Sequence, residues 1–160
     1  FKSKRGRGGV VEGIHINNIS MFDIQTDAIT FDLYYGGKSA VEALADGDEQ
    51  KRKSEPVYKV DETTPCFRDI FINHVVCRRA RRAAYFNGLP EMPVKNIQIT
   101  DLEVNNAKEG IVVNYTDGVK LNNVSVSADG HTFSAKNSVN ATVNGKTYKK
   151  IDSKGITLDF

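Results

Sequence analysis

The apolar positions of this chain fall into one eight-residue pattern that occurs four times. It reads Ile14-x-Ile16-x-x-Ile19-x-Met21, then Ile70-x-Ile72-x-x-Val75-x-Cys77, then Ile97-x-Ile99-x-x-Leu102-x-Val104, then Val119-x-Leu121-x-x-Val124-x-Val126. Alternation with a period of two turns one face of a strand inward. The polar pair in the middle breaks the phase, so each copy predicts a strand, a bend and a second strand. Those pairs are Asn17-Asn18, Asn73-His74, Thr100-Asp101 and Asn122-Asn123. Asn and Asp tolerate the left-handed backbone that a sharp bend requires. A third apolar segment follows the first three copies: Ile29, Phe31 and Leu33, then Ala83-Ala84-Tyr85-Phe86, then Gly110-Ile111-Val112-Val113.

The copies start at Ile14, Ile70, Ile97 and Val119, at intervals of 56, 27 and 22 residues. The long first interval equals one ordinary repeat plus an insertion over residues 36–65. That insertion has no apolar period, carries the charged run Asp46-Gly47-Asp48-Glu49-Gln50-Lys51-Arg52-Lys53, and admits a short helix over 39–44. Repeats of this length, with three short strands and polar bends, predict an all-β chain folded as a parallel β-helix of about four coils. Leucine-rich repeats have a similar period, but they need a leucine-heavy consensus and a helix or compact turn on one flank. Here Ile and Val dominate, and no helical period fills the repeats. The expected layout is coils over 1–128 and a C-terminal β cap over 129–160, where the apolar residues lose the earlier spacing.

Length, composition and charge narrow the function classes. With 160 residues and a net charge of +2, the chain reads as one globular domain with a real core. No run of about 18 apolar residues is present, so no membrane span is expected. The chain opens with Phe1-Lys2-Ser3-Lys4 and no signal peptide, which reads as a processed chain or a fragment. The two cysteines, Cys66 and Cys77, match no zinc or redox spacing, and Cys77 falls on an inward position, as a buried free thiol does.

The chemistry-bearing residues are few. His15, His74 and His131 share no metal-ligand spacing, so neither metal nor cofactor is expected. Asp117-Gly118 between apolar strands is a turn signal. The arginines at 78, 79, 81 and 82 lack an accompanying set of stacking aromatics. They read as a solvated face, not a nucleic-acid site. Residues 1–9 remain: four cations interleaved with glycines, which suit either a solvated end or a cleft edge facing an anionic ligand.

Three stretches resemble the C-terminal half of glycoside hydrolase family 28, the polygalacturonases and related pectinases, in its bacterial form. They are Phe1-Lys2-Ser3, Arg5-Gly6-Arg7-Gly8-Gly9-Val10-Val11-Glu12-Gly13-Ile14, and Gly88-Leu89-Pro90-Glu91-Met92-Pro93-Val94-Lys95-Asn96-Ile97. The resemblance covers residues 1–128 and implies a right-handed parallel β-helix. It also implies inverting hydrolysis of α-1,4-galacturonide bonds and a secreted or periplasmic protein. The family's catalytic aspartates lie in Asn-Thr-Asp and Asp-Asp segments, followed by a Gly-His-Gly segment; this chain contains none of the three. The resemblance implies substrate contacts at Lys2, the lysine of the family's Arg-x-Lys motif, and at Tyr34 or its neighbour Tyr35. Arg5 and Arg7 are further candidates. The implied partners are a pectin-like anionic polysaccharide and N-terminal coils of the same protein. A non-catalytic β-solenoid that binds an anionic polysaccharide is the alternative.

Overall fold

The computed structural model describes residues 1–34 and 56–160, and every regular element in them is a β-strand. Three long strands come first: β1 (Val10–Asp32), β2 (Cys66–Asn87) and β3 (Val94–Asn114). Shorter ones follow: β4 (Thr116–Ala128), β5 (Phe133–Lys136), β6 (Ser138–Val143), β7 (Lys146–Ile151) and β8 (Ile156–Leu158). They form one sheet in the order β1-β2-β3-β4-β6-β7, with β5 on β3 and β8 on β5. Pairing is parallel throughout, except for β6 with β7 and β5 with β8. The helix expected over 39–44 lies outside the described residues.

The repeated pattern fixes the register. Ile14, Ile70, Ile97 and Val119 lie side by side on successive strands, as do Ile16, Ile72, Ile99 and Leu121. The second pair aligns as well: Ile19 with Val75, Leu102 and Val124, and Met21 with Cys77, Val104 and Val126. From β2 onward all these side chains are buried. Each contributes about 1.5–3 kcal/mol when fully buried as a Val, Leu or Ile side chain. On β1 they are only partly covered, and Ile19 is exposed, because no strand among the described residues lies beyond them.

Each long strand bends at left-handed residues that stack from strand to strand. The first tier is Gly13, Asp69, Asn96 and Gly118; the second is Asn18, His74, Asp101 and Asn123; the third is Asp23, Arg79 and Asn106. The second tier sits at the polar pairs of the sequence pattern. Residues before and after these bends, among them Ile70, Val75, Ala84, Phe86 and Leu89, belong to one hydrophobic cluster.

The polar interior is built the same way. Asn87 donates to the Asp32 carboxyl at 3.0 Å, Asn114 to the Asn87 carbonyl at 3.1 Å, and Asn137 to the Asn114 carbonyl at 3.0 Å. This line of side-chain amides runs at the ends of the third apolar segments, where Asp32, Asn87 and Asn114 are buried. Beside it, Phe1 stacks on Phe31 at 4.7 Å and Phe31 on Phe86 at 5.7 Å. Past residue 128 the apolar spacing loosens, but β5 and β6 keep the parallel pairing, with Phe133 beside Ile111 and Val143 beside Leu121. Only β7 and β8 reverse direction.

Candidate functional site

The basic opening segment is held against the end of β1. Lys2 bridges Asp32 in parallel and Lys4 bridges Tyr34 in antiparallel fashion. The Ser3 N–H donates to the Asp32 carbonyl at 2.9 Å, and the Asp32 N–H to the Phe1 carbonyl at 3.0 Å. The Asp32 carboxyl also accepts from the Tyr34 N–H at 3.0 Å, which joins Tyr34 to the line of amides below. Lys2 and Tyr34 therefore lie on neighbouring stretches of one edge. Lys2 and Lys4 are exposed, and neither ammonium has an acidic partner among the described residues.

The glycines then let a second segment approach. Gly6 and Gly8 both donate to the Thr63 carbonyl, at 3.0 and 2.9 Å. Gly8 has a φ of 64°, and a Cβ there would lie 2.1 Å from the Glu62 carbonyl oxygen. Only glycine satisfies both conditions. The close backbone approach expected of this stretch is made to the chain itself, at residues 62–63.

Arg5 is a strut. Its Nε and Nη2 donate to the two Glu91 oxygens at 2.5 and 2.9 Å. Its guanidinium lies 5.5 Å from the Tyr34 ring centroid and 4.6 Å from that of Tyr58. A paired guanidinium between two rings is fixed in direction, because bidentate and stacking geometry constrain the same plane. Burial of the Glu91 carboxyl pushes its pKa up. The hydrogen bond and charge of Arg5, with backbone N–H groups at Glu91 and Tyr58, outweigh that and leave it below the ordinary value. The strut joins three parts of the chain: the opening segment, residues near 58, and the turn at 88–93.

Of the expected contacts, Lys2, Arg5, Arg7 and Tyr34 belong to this edge, with Arg7 exposed on the turn closed by its N–H to the Lys4 carbonyl at 3.2 Å. Tyr35 lies outside the described residues. Glu91 and Tyr58 are members that the sequence reading missed. Glu91 falls within a stretch carrying the family resemblance, but nothing in the chain marks it as a partner for a residue 86 positions away. Tyr58 carries no pattern at all.

Other ionisable groups make contacts within the scaffold. His15 stacks on Phe71 at 4.8 Å, His74 reaches Asp101 at 3.2 Å, and His131 reaches Asp159 at 3.0 Å. Asp117 accepts from Asn140 at 2.8 Å. Three of the clustered arginines face acids: Arg79 faces Asp23, Arg81 faces Glu109, and the buried Arg82 faces Asp27 and Glu109. Cys66 and Cys77 are free and buried, and burial raises the Cys77 pKa. Among the described residues no group of three or more His, Cys, Asp or Glu is placed to share a metal ion. Likewise no helix among them is long and apolar enough to cross a membrane. No family model, curated protein or solved structure matches this chain.

Proposed function

We propose that the chain is the C-terminal portion of a secreted or periplasmic pectin-degrading glycoside hydrolase of the polygalacturonase type, folded as a right-handed parallel β-helix. In this reading each long bent strand is one coil. The inward ladders and the single hydrophobic cluster shared by residues on both sides of every bend support it. The chain supplies one wall of the sugar-binding cleft. The acid that protonates the leaving oxygen, and the carboxylate that activates water in an inverting reaction, come from coils that precede it. The uncovered apolar side of β1 offers those coils a surface to stack on.

The observation that carries the reading is the pairing of residues 1–4 with residues 30–34. It puts Lys2, whose ammonium has no acidic partner among the described residues, beside Asp32 on an edge braced by Arg5 and Glu91. Every galacturonate residue bears one carboxylate, and an ammonium contact to a carboxylate is a charge-assisted hydrogen bond. Tyr34 is buried with the Arg5 guanidinium against its ring, so it braces the edge beneath the exposed lysines.

Titration of the purified chain with trigalacturonate tests this. Binding that falls at least tenfold in Lys2→Ala, with no release of reducing ends by this chain, is the expected result. Equal binding by wild type and Lys2→Ala overturns the role of Lys2, and hydrolysis by the chain alone overturns the assignment of the carboxylates to other coils. The coding sequence upstream of Phe1 is the second check. An Arg codon immediately before Phe1, with Asn-Thr-Asp, Asp-Asp and Gly-His-Gly segments further upstream, is expected. An unrelated sequence there leaves a binding module for anionic polysaccharide instead.

A further inference from the structure

The third tier of bends carries a feature that neither the fold nor the Lys2 edge uses. Phe22, Arg78 and Asn105 lie side by side on β1, β2 and β3, with side chains on the outer face. Arg79 and Asn106 follow them. Together these five residues line an open groove of about 490 Å³. Phe22 is 66 % exposed, a large aromatic surface left in water. The Arg79 guanidinium lies 5.7 Å from the Phe22 ring centroid and 3.5 Å from the Asp23 carboxylate. Arg78 is exposed and has no acidic partner among the described residues. Asn105 donates to Glu103 at 2.7 Å, which turns its amide carbonyl away from that bond.

The backbone at the same place is left-handed. Arg79 has a φ of 72°, whereas its stacked neighbours in the tier are Asp23 and Asn106. Asp and Asn adopt left-handed backbone readily; a long side chain does so at a penalty. Arg79 shares this with His74 of the second tier and with Tyr115, so its backbone is held by the stacking of the tier, with its guanidinium turned to Asp23 and Phe22.

The geometry points to a second saccharide site here, taking a single uronate unit of an anionic glycan against the Phe22 ring with its carboxylate on Arg78. Arg79 is paired with Asp23 and the Glu103 carboxylate is held by Asn105, so Arg78 is the groove cation left without an acidic partner among the described residues, a contact for a single carboxylate. A polyphosphate backbone needs a cation for each phosphate it neutralises, and this groove does not provide them. The Phe22 face suits the apolar side of a sugar ring, and the Asn105 and Asn106 amides suit its hydroxyls. The choice of a uronate rests on the reading of the Lys2 edge; the location of the site does not.

Amide NMR of the full 160-residue chain, titrated separately with trigalacturonate, maltotriose and hexathymidylate, tests the assignment. Trigalacturonate is expected to move the amides of residues 22, 78, 79, 105 and 106. Arg78→Gln and Phe22→Ala each weaken that response at least tenfold, with the response around Lys2 intact. Arg79→Asn restores the residue type of its neighbours, and is expected to raise Tm while weakening groove binding severalfold. A raised Tm with unchanged binding removes Arg79 from the site. The proposal is overturned by unchanged groove affinity in Arg78→Gln or by equal response to maltotriose. Tighter binding of hexathymidylate with a steep salt dependence overturns it in favour of nucleic acid. Loss of the Lys2 response alone, with the groove response retained, would count against the cleft-wall reading and leave this site standing.

Discussion

Replacing Asn87 by Ala breaks the line of buried amides at its centre. Asn87 is fully buried; it donates to Asp32 and accepts from Asn114. Two hydrogen bonds of about 0.5–1.5 kcal/mol each are lost, and the Asn114 N–H is left in the interior without its acceptor, for a further ~1–3 kcal/mol. The Asp32 oxygen keeps the Tyr34 N–H, so its loss is partial. The sum is a destabilisation of about 2–6 kcal/mol. Asn17→Ala is the matched control, since Asn17 makes the same kind of contact, accepting from Asn73 at 2.9 Å, at the exposed surface and without a left-handed backbone. Water replaces a partner there, so the expected loss is under ~0.5 kcal/mol. Urea unfolding followed by far-UV circular dichroism separates the two. With a slope of about 2 kcal/mol per molar urea, Asn87→Ala lowers the midpoint by roughly 1–3 M, and Asn17→Ala shifts it by less than about 0.3 M. Equal shifts for the two variants would refute the burial argument, because it predicts the difference from solvent access alone.

Two further outcomes follow from the site and the packing. Glu91 has a folded pKa below its unfolded value, so its pairing stabilises the chain above the unfolded value and is lost as pH falls through the folded one. Glu91→Gln should therefore lower Tm at pH 7, by the equivalent of about 1–3 kcal/mol, and converge on wild type in acid; a constant difference from pH 7 to pH 3 contradicts the linkage. At Gly110 a Cβ would lie 2.1 Å from the Thr132 carbonyl oxygen and 2.5 Å from that of His131, both backbone atoms. Gly110→Ala is expected to unfold β5 from β3 or to abolish folding, and an unchanged melting curve would show that these strands separate without penalty.

How much of this was legible in the sequence differs from part to part. The alternation of Ile14, Ile16, Ile19 and Met21 with their repeats was enough to align β1 to β4, because inward positions must stack when every strand shares one interior. The second tier of bends was legible for the same reason: Asn18, Asp101 and Asn123 are residue types that accept the left-handed backbone. The third tier was not, because Arg79 hides it in β2 and the polar residues around Asp23 and Asn106 give no fixed spacing. The line from Asp32 to Asn137 was also missed. Its members are single residues in strands of different spacing, and a lone Asn at a strand end reads as a turn. At the site, the basic segment and Tyr34 were visible as types. The Arg5–Glu91 strut was not, because a pair separated by 86 residues is created only by the stacking.

The aligned residues Ile14, Ile70, Ile97 and Val119 on successive strands are separated by 56, 27 and 22 residues. The chain thus absorbs very different contour lengths between neighbouring strands without disturbing their alignment. Loop-closure entropy rises with the logarithm of length, so doubling the separation from 27 to 56 residues costs about 0.6 kcal/mol, less than one buried Ile. Interior and periphery are thereby energetically uncoupled. The connections that rim any ligand can lengthen, shorten and change composition under selection for recognition, while the stacked interior stays under a separate selection for stability.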